Sequence, residues 1–104
     1  MRLFIDDLRP IPLGFTIARS SEEAKTIVGE FGIPSFISFD HDLGGQDTSM
    51  VFIKWMIEGI LDGDLELPKN FGFAVHSANP VGKENIESLL NNFLTNYRKN
   101  DKLD

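Results

Sequence analysis

"FISFDHDLGG", residues 36–45, decides how this chain is read. An apolar run stops abruptly at three ionisable side chains, Asp40, His41 and Asp42, followed by the glycine pair Gly44–Gly45. Residues 35–39, "SFISF", carry apolar side chains on both faces of an extended chain, which is the pattern of a central parallel strand covered by helices on both sides. Its polar end is then the point where the strand surfaces. The chain has two histidines, and one of them stands there between two aspartates.

Outward from this strand the same punctuation recurs. "RLFI" (2–5) ends in Asp6 and Asp7, and "FTIA" (15–18) is a second short apolar run, so both read as strands. Ser20 and Glu23 form a capping box ahead of Ala24, Ile27, Val28 and Phe31, and Gly32 and Pro34 stop that helix. A second helix runs from about Thr48 to Asp62, with Phe52, Ile53, Met56, Ile57, Ile60 and Leu61 inward and Trp55 at the border of its faces. "FGFAV" (71–75) is the fourth strand. Asn79 and Pro80 then open a third helix, striped with Ile86, Leu89, Leu90, Phe93, Leu94 and Tyr97.

This order is an α/β alternation, and the two helical crossovers require strands two, three and four to run parallel. Residues 6–14 are too few for a helical crossover, yet nine extended residues reach about 30 Å, enough to carry the chain back beside a short first strand. The first strand is therefore expected parallel as well, with a stretched loop where a helix would stand. The expectation is one α/β domain over 1–98, a small three-layer fold with four mostly parallel strands and three helices, and a frayed tail over 99–104.

Composition narrows the function classes. The 104 residues carry a formal charge of −6, which disfavours non-specific nucleic-acid binding through counterion release. A small phosphorylated ligand or a single RNA end stays open. Without cysteine there is no disulfide, thiolate metal site or Cys nucleophile. No apolar run is long enough to span a bilayer, and "MRLFIDDLRP" has charges where a signal peptide needs its apolar segment, so the expected location is cytoplasmic, away from membranes.

In an open parallel sheet the residues that follow each strand gather along one edge, where such folds bind ligands. Here they are Asp6 and Asp7, then Asp40, His41 and Asp42, then His76, Ser77 and Asn79. Turn chemistry alone accounts for Asn79 as a helix cap and for Asp42 before Leu43. It accounts poorly for Asp6, Asp7 and Asp40, whose like charges need a cation or shared protons. Three hard oxygen ligands suit magnesium or manganese, with Asp42 at the margin of the set. Two imidazoles, His41 and His76, suit acid and base work on a phosphoester. Ser77 and the first N–H groups of the last helix offer donors to an anion. Arg9 either joins them on a phosphate or pins the stretched loop to Asp7; Lys83 reads as a solvated helix residue.

With "FIDD" (4–7), Asp40 closing the third strand and Ser77 after the fourth, the sequence resembles the receiver domains of two-component signalling. By that resemblance Asp6 and Asp7 are an acidic pair, Asp40 is the central carboxylate that holds magnesium and accepts a phosphoryl group, and Ser77 binds phosphate. The first helix and the fifth strand of a receiver, with its lysine, are missing, and His41 stands beside the central Asp. "IDDLRP", "SFDHDLGG" and "VHSANPVGKENI" together look like a narrower family, the cyclic-phosphate-processing receiver-like domains of bacteria and their phages. That resemblance implies a flavodoxin-like fold and the processing of cyclic phosphate ends, and with the acidic cluster and two imidazoles the expected function is a metal-assisted phosphoesterase acting on a cyclic phosphate, a 2′,3′-cyclic RNA end or a cyclic nucleotide. His41, His76 and Asp40 would be catalytic, Arg9, Ser77 and Asn79 would bind phosphate, and Asp6, Asp7, Asp40 and Asp42 would bind metal. The alternative is a non-catalytic binding or switch module for a phosphate ligand or protein partner.

Overall fold

Core-facing residues recur at every second position of the strands, as Leu3 and Ile5 or Ile37 and Phe39 do, and this alternation sets the layers of the molecule. The computed structural model describes residues 1–103; residue 104, the end of the stretch read as a tail, lies outside the described residues. The strands are β1 (Arg2–Ile5), β2 (Thr16–Ala18), β3 (Phe36–Phe39) and β4 (Gly72–Val75), and the helices are α1 (Ser21–Phe31), α2 (Ser49–Asp62) and α3 (Pro80–Leu103). The sheet order is β2-β1-β3-β4 and every pairing is parallel, β1 included. Residues 7–15 form an irregular loop in place of a crossover helix.

Leu3, Ile5, Ala18, Ile37 and Phe39 are buried in one core cluster with residues of all three helices, among them Val28, Phe52, Met56, Ile86 and Leu90. The alternate strand residues Phe4 and Phe36 lie outside that cluster, on the opposite face. Chain handedness explains the segregation. The β2-α1-β3 and β3-α2-β4 crossovers step across the sheet in the same direction, so right-handed connections place both helices on the same side. The expectation of three layers, with β3 covered by helices on both sides, is thereby corrected to two. The second face is closed by the 7–15 loop instead. Phe15 packs edge-on against Phe4 and Phe36, with ring centroids 5.7 and 6.2 Å apart. The Arg2 guanidinium caps the Phe15 ring at 4.4 Å.

Helix ends follow local chemistry. The Ser20 hydroxyl accepts the Glu23 N–H at 3.1 Å, while the Glu23 carboxylate reaches Arg19 N–H rather than the cap residue itself. Asp47, in the β3-α2 loop, accepts both the Ser21 N–H and hydroxyl at 2.8 and 2.5 Å, tying that loop to the start of α1. Two apolar positions expected inward face outward: Phe31 is the last residue of α1, and Leu61 sits one position past Ile60, off the buried stripe of α2. No helix is long and apolar enough to cross a membrane among the described residues.

Candidate functional site

Because all four strands run one way, their C-terminal ends deliver Asp6, Asp40 and His76 to a single edge, as the sequence order requires. The backbone holds them in register: Asp40 N–H donates to Ile5 O at 2.8 Å and His76 N–H to Phe39 O at 2.9 Å. Asp6, Asp7 and Asp40 each offer a carboxylate oxygen within 4.8 Å of the others.

Asp6 is the most constrained of the three and is only 1% exposed. Its Oδ1 accepts the Leu8 and Arg9 N–H groups at 2.9 and 2.8 Å. Its Oδ2 accepts Arg9 Nη1 and engages His76 Nε2, each at 2.9 Å. Burial pushes this carboxyl up, but those backbone, imidazole and guanidinium donors outweigh it and hold Asp6 below its ordinary value. Asp40 moves the other way. Burial raises it first and the charge of Asp6 raises it further, against weaker pulls from Arg9, His76 and Ser77.

Arg9 pins the loop, but to Asp6 rather than to Asp7. Its guanidinium also donates to His76 O at 3.1 Å and stands 4.0 Å from Asp40 Oδ2. Arg19 braces the same loop by donating to the carbonyls of Asp6 and Arg9 at 3.2 and 2.6 Å.

Beside the carboxylates lies an open groove of about 350 Å³ lined by Asp7, Leu8, Arg9, Asp40, Asp42, Gly44, Ser77, Ala78 and Asn79. Gly44 adopts φ 91°, a conformation that favours glycine, and a Cβ there would stand 3.2 Å from Asp7 Oδ2. Asn79 Oδ1 caps α3 by accepting Gly82 N–H at 3.0 Å, and the Ser77 hydroxyl accepts Asn79 N–H at 3.1 Å.

The two imidazoles have separate commitments and neither is among the groove-lining residues. His76 has both ring nitrogens engaged, Nε2 by Asp6 and Nδ1 by Ser38 at 2.7 Å, and its ring stacks on Phe4 at 4.3 Å. His41 packs against Gly82 of α3, and its Nδ1 meets Asp42 Oδ1 at 3.0 Å. Asp42 also accepts Asn79 Nδ2 at 3.1 Å, and these two partners hold its carboxyl below the ordinary value. It is 62% exposed and is not one of the three carboxylates that gather within 4.8 Å, although it lines the same groove as Asp7 and Asp40.

The donor set fits a magnesium or manganese ion, which takes one or two carboxylates and keeps its remaining positions for water and phosphate. Asp7 and Asp40 border the groove, whereas Asp6 already has four hydrogen-bond partners. Sequence reasoning missed three residues that build the site: Ser38 under His76, Arg19 behind the loop, and Asp47 anchoring the β3-α2 connection. Ser38 alone left a signal, as the only polar residue in "FISF".

No curated protein and no solved structure matches the chain. The family described as the cyclic-phosphate processing receiver domain matches residues 1–92, across all four strands and the first half of α3. With its parallel sheet, its acidic edge and that match, the chain belongs to the cyclic-phosphate processing receiver domain family.

Proposed function

We propose that this protein is a metal-assisted phosphoesterase that hydrolyses a 2′,3′-cyclic phosphate, carried by a nucleotide or by an RNA end. The observation that carries the reading is the gathering of Asp6, Asp7 and Asp40 beside a groove rimmed by Ser77, Asn79 and Gly44. Asp7 and Asp40 would hold magnesium or manganese with Asp6 behind them, and when bound the ion supplies Lewis-acid polarisation of a phosphoryl oxygen. The Ser77 hydroxyl, the Asn79 amide and the Arg9 guanidinium supply neutral and charged donors to the remaining phosphate oxygens.

Proton work falls to His41. Its Nδ1 is oriented by Asp42 while Nε2 makes no hydrogen bond among the described residues. No buried side-chain nitrogen or oxygen among them lacks a partner, so Nε2 is open to solvent. An imidazole held at one nitrogen and free at the other can take a proton from water or return one to the leaving oxygen. Hydrolysis adds water across one P–O bond of the ring and leaves a phosphomonoester.

The test is incubation of the purified chain with a 2′,3′-cyclic nucleotide and with cyclic-ended RNA, with magnesium or manganese and with chelator. Metal-dependent monoester formation that disappears in Asp40→Asn is the expected result. Binding of the cyclic nucleotide without product, at high enzyme and long incubation, would replace this reading with a phosphate-binding module.

A further inference from the structure

Ser38 lies in the middle of β3, flanked in register by Phe4 on β1 and Ala74 on β4. All three face away from the helices. A small residue there leaves room for the His76 ring, which reaches from the end of β4 across β3 and lies flat on Phe4, 3° from parallel. Ser38 is 7% exposed, and its hydroxyl has one side-chain partner among the described residues, Nδ1 of His76 at 2.7 Å. A buried hydroxyl proton needs an acceptor. Nδ1 provides one when it is unprotonated, and the ring proton then sits on Nε2, facing Oδ2 of Asp6 at 2.9 Å.

We propose that Ser38 and His76 are positioning residues for Asp6: Ser38 donates to Nδ1, fixing the tautomer in which Nε2–H donates to the Asp6 carboxylate. The Ser, His and Asp composition does not make a nucleophile, because the hydroxyl lies mid-strand, buried beneath the imidazole. The relay works instead as the outer support of the acidic cluster. Such supports keep the carboxylates at and behind a metal in orientation, and losing one costs about tenfold or more in metal affinity. The consequence for metal rests on the functional reading above; the tautomer does not.

The experiment is a long-range proton–nitrogen correlation spectrum of the imidazoles in the 15N-labelled chain near neutral pH. The two rings are told apart by the set lost in His41→Asn. Expected for His76 is one protonated nitrogen, Nε2, and one unprotonated nitrogen, Nδ1. Ser38→Ala should lose this single-tautomer pattern and bind manganese about tenfold more weakly, and Ser38→Thr, which keeps the hydroxyl, should recover both. A wild-type ring protonated at Nδ1, or a Ser38→Ala ring with an unchanged pattern, overturns the relay. If wild type shows the expected tautomer but binds no manganese, the metal-assisted reading fails and the relay stands.

Discussion

Arg9 donates to Asp6 Oδ2 at 2.9 Å while standing 4.0 Å from Asp40 Oδ2, so a guanidinium lies between two carboxylates of the acidic cluster. Like charges brought together at the ends of β1 and β3 need a cation, and the chain supplies one from its own loop. With 46% of its side chain exposed, Arg9 has room to leave. A divalent ion entering the cluster competes with it. Releasing a guanidinium held near a carboxylate at this distance costs on the order of 1 kcal/mol, about a fivefold effect on an equilibrium. Arg9→Gln should therefore bind manganese a few-fold more tightly and inorganic phosphate more weakly. Calorimetric titration of each ligand checks this, and weaker manganese binding in the variant contradicts the competition.

Asp40 carries a cost that a receiver-like site imposes on its own fold. Its carboxyl is raised by burial and by Asp6, so the folded protein disfavours the ionised form relative to the unfolded chain. The resulting loss of stability is absent well below the ordinary value of 3.8 and grows as pH climbs past it. It is complete once pH exceeds the raised folded value. Asp40→Asn should thus melt several degrees higher than wild type in metal-free buffer at pH 7, and the difference should vanish near pH 3. Thermal melts at the two pH values read it directly. Saturating magnesium should invert the order at neutral pH, since only wild type gains about 2.7 kcal/mol at 100 times its dissociation constant.

Asp6 has the opposite sign. Its donors lower it, so its contribution is fully present above the ordinary value of 3.8 and is lost as pH falls through the depressed folded value. Asp6→Asn would keep an acceptor for the Leu8 and Arg9 N–H groups but would turn an amide N–H₂ toward Arg9 and His76. Leaving those donors unsatisfied costs about 1–3 kcal/mol. The variant should unfold at lower denaturant concentration at pH 7 and approach wild type in acid. Equal midpoints at pH 7 would mean that these four contacts contribute nothing net.

The strands, the helix starts and the acidic edge were legible because each follows from local rules: apolar runs, a capping Ser20 or Asn79, and the parallel order that sends every strand end to one side. Layering was not legible. The strand 35–39 looks the same whether its second face meets a helix or a loop bearing Phe15. The pairing of side chains was equally hidden. Nothing in the spacing of Asp6, Ser38 and His76 reveals that the imidazole crosses β3 to reach both, because that contact depends on a small residue in a neighbouring strand. The same holds for Asp42, whose place between His41 and Asn79 is set by the 42–48 turn and its bridge to Thr48.

Gly82 offers a test of His41 that leaves the imidazole itself untouched. A Cβ at this position would stand 2.4 Å from His41 Cγ and 2.7 Å from Nδ1, far inside contact distance, so Gly82→Ala must displace the ring and break its bond to Asp42. The substitution lies in the first turn of α3, where alanine favours helix over glycine by up to about 1 kcal/mol and offsets part of the packing cost. The carboxylates, Ser77 and Asn79 keep their places. General acid–base groups contribute about 10²–10⁴-fold, so turnover of a 2′,3′-cyclic nucleotide should fall by about 100-fold or more. Manganese and phosphate affinity should change little. A Gly82→Ala enzyme with wild-type turnover and a displaced ring, seen as altered His41 imidazole shifts, would remove His41 from the proton transfer and leave the chemistry to groups on the carboxylate side of the groove.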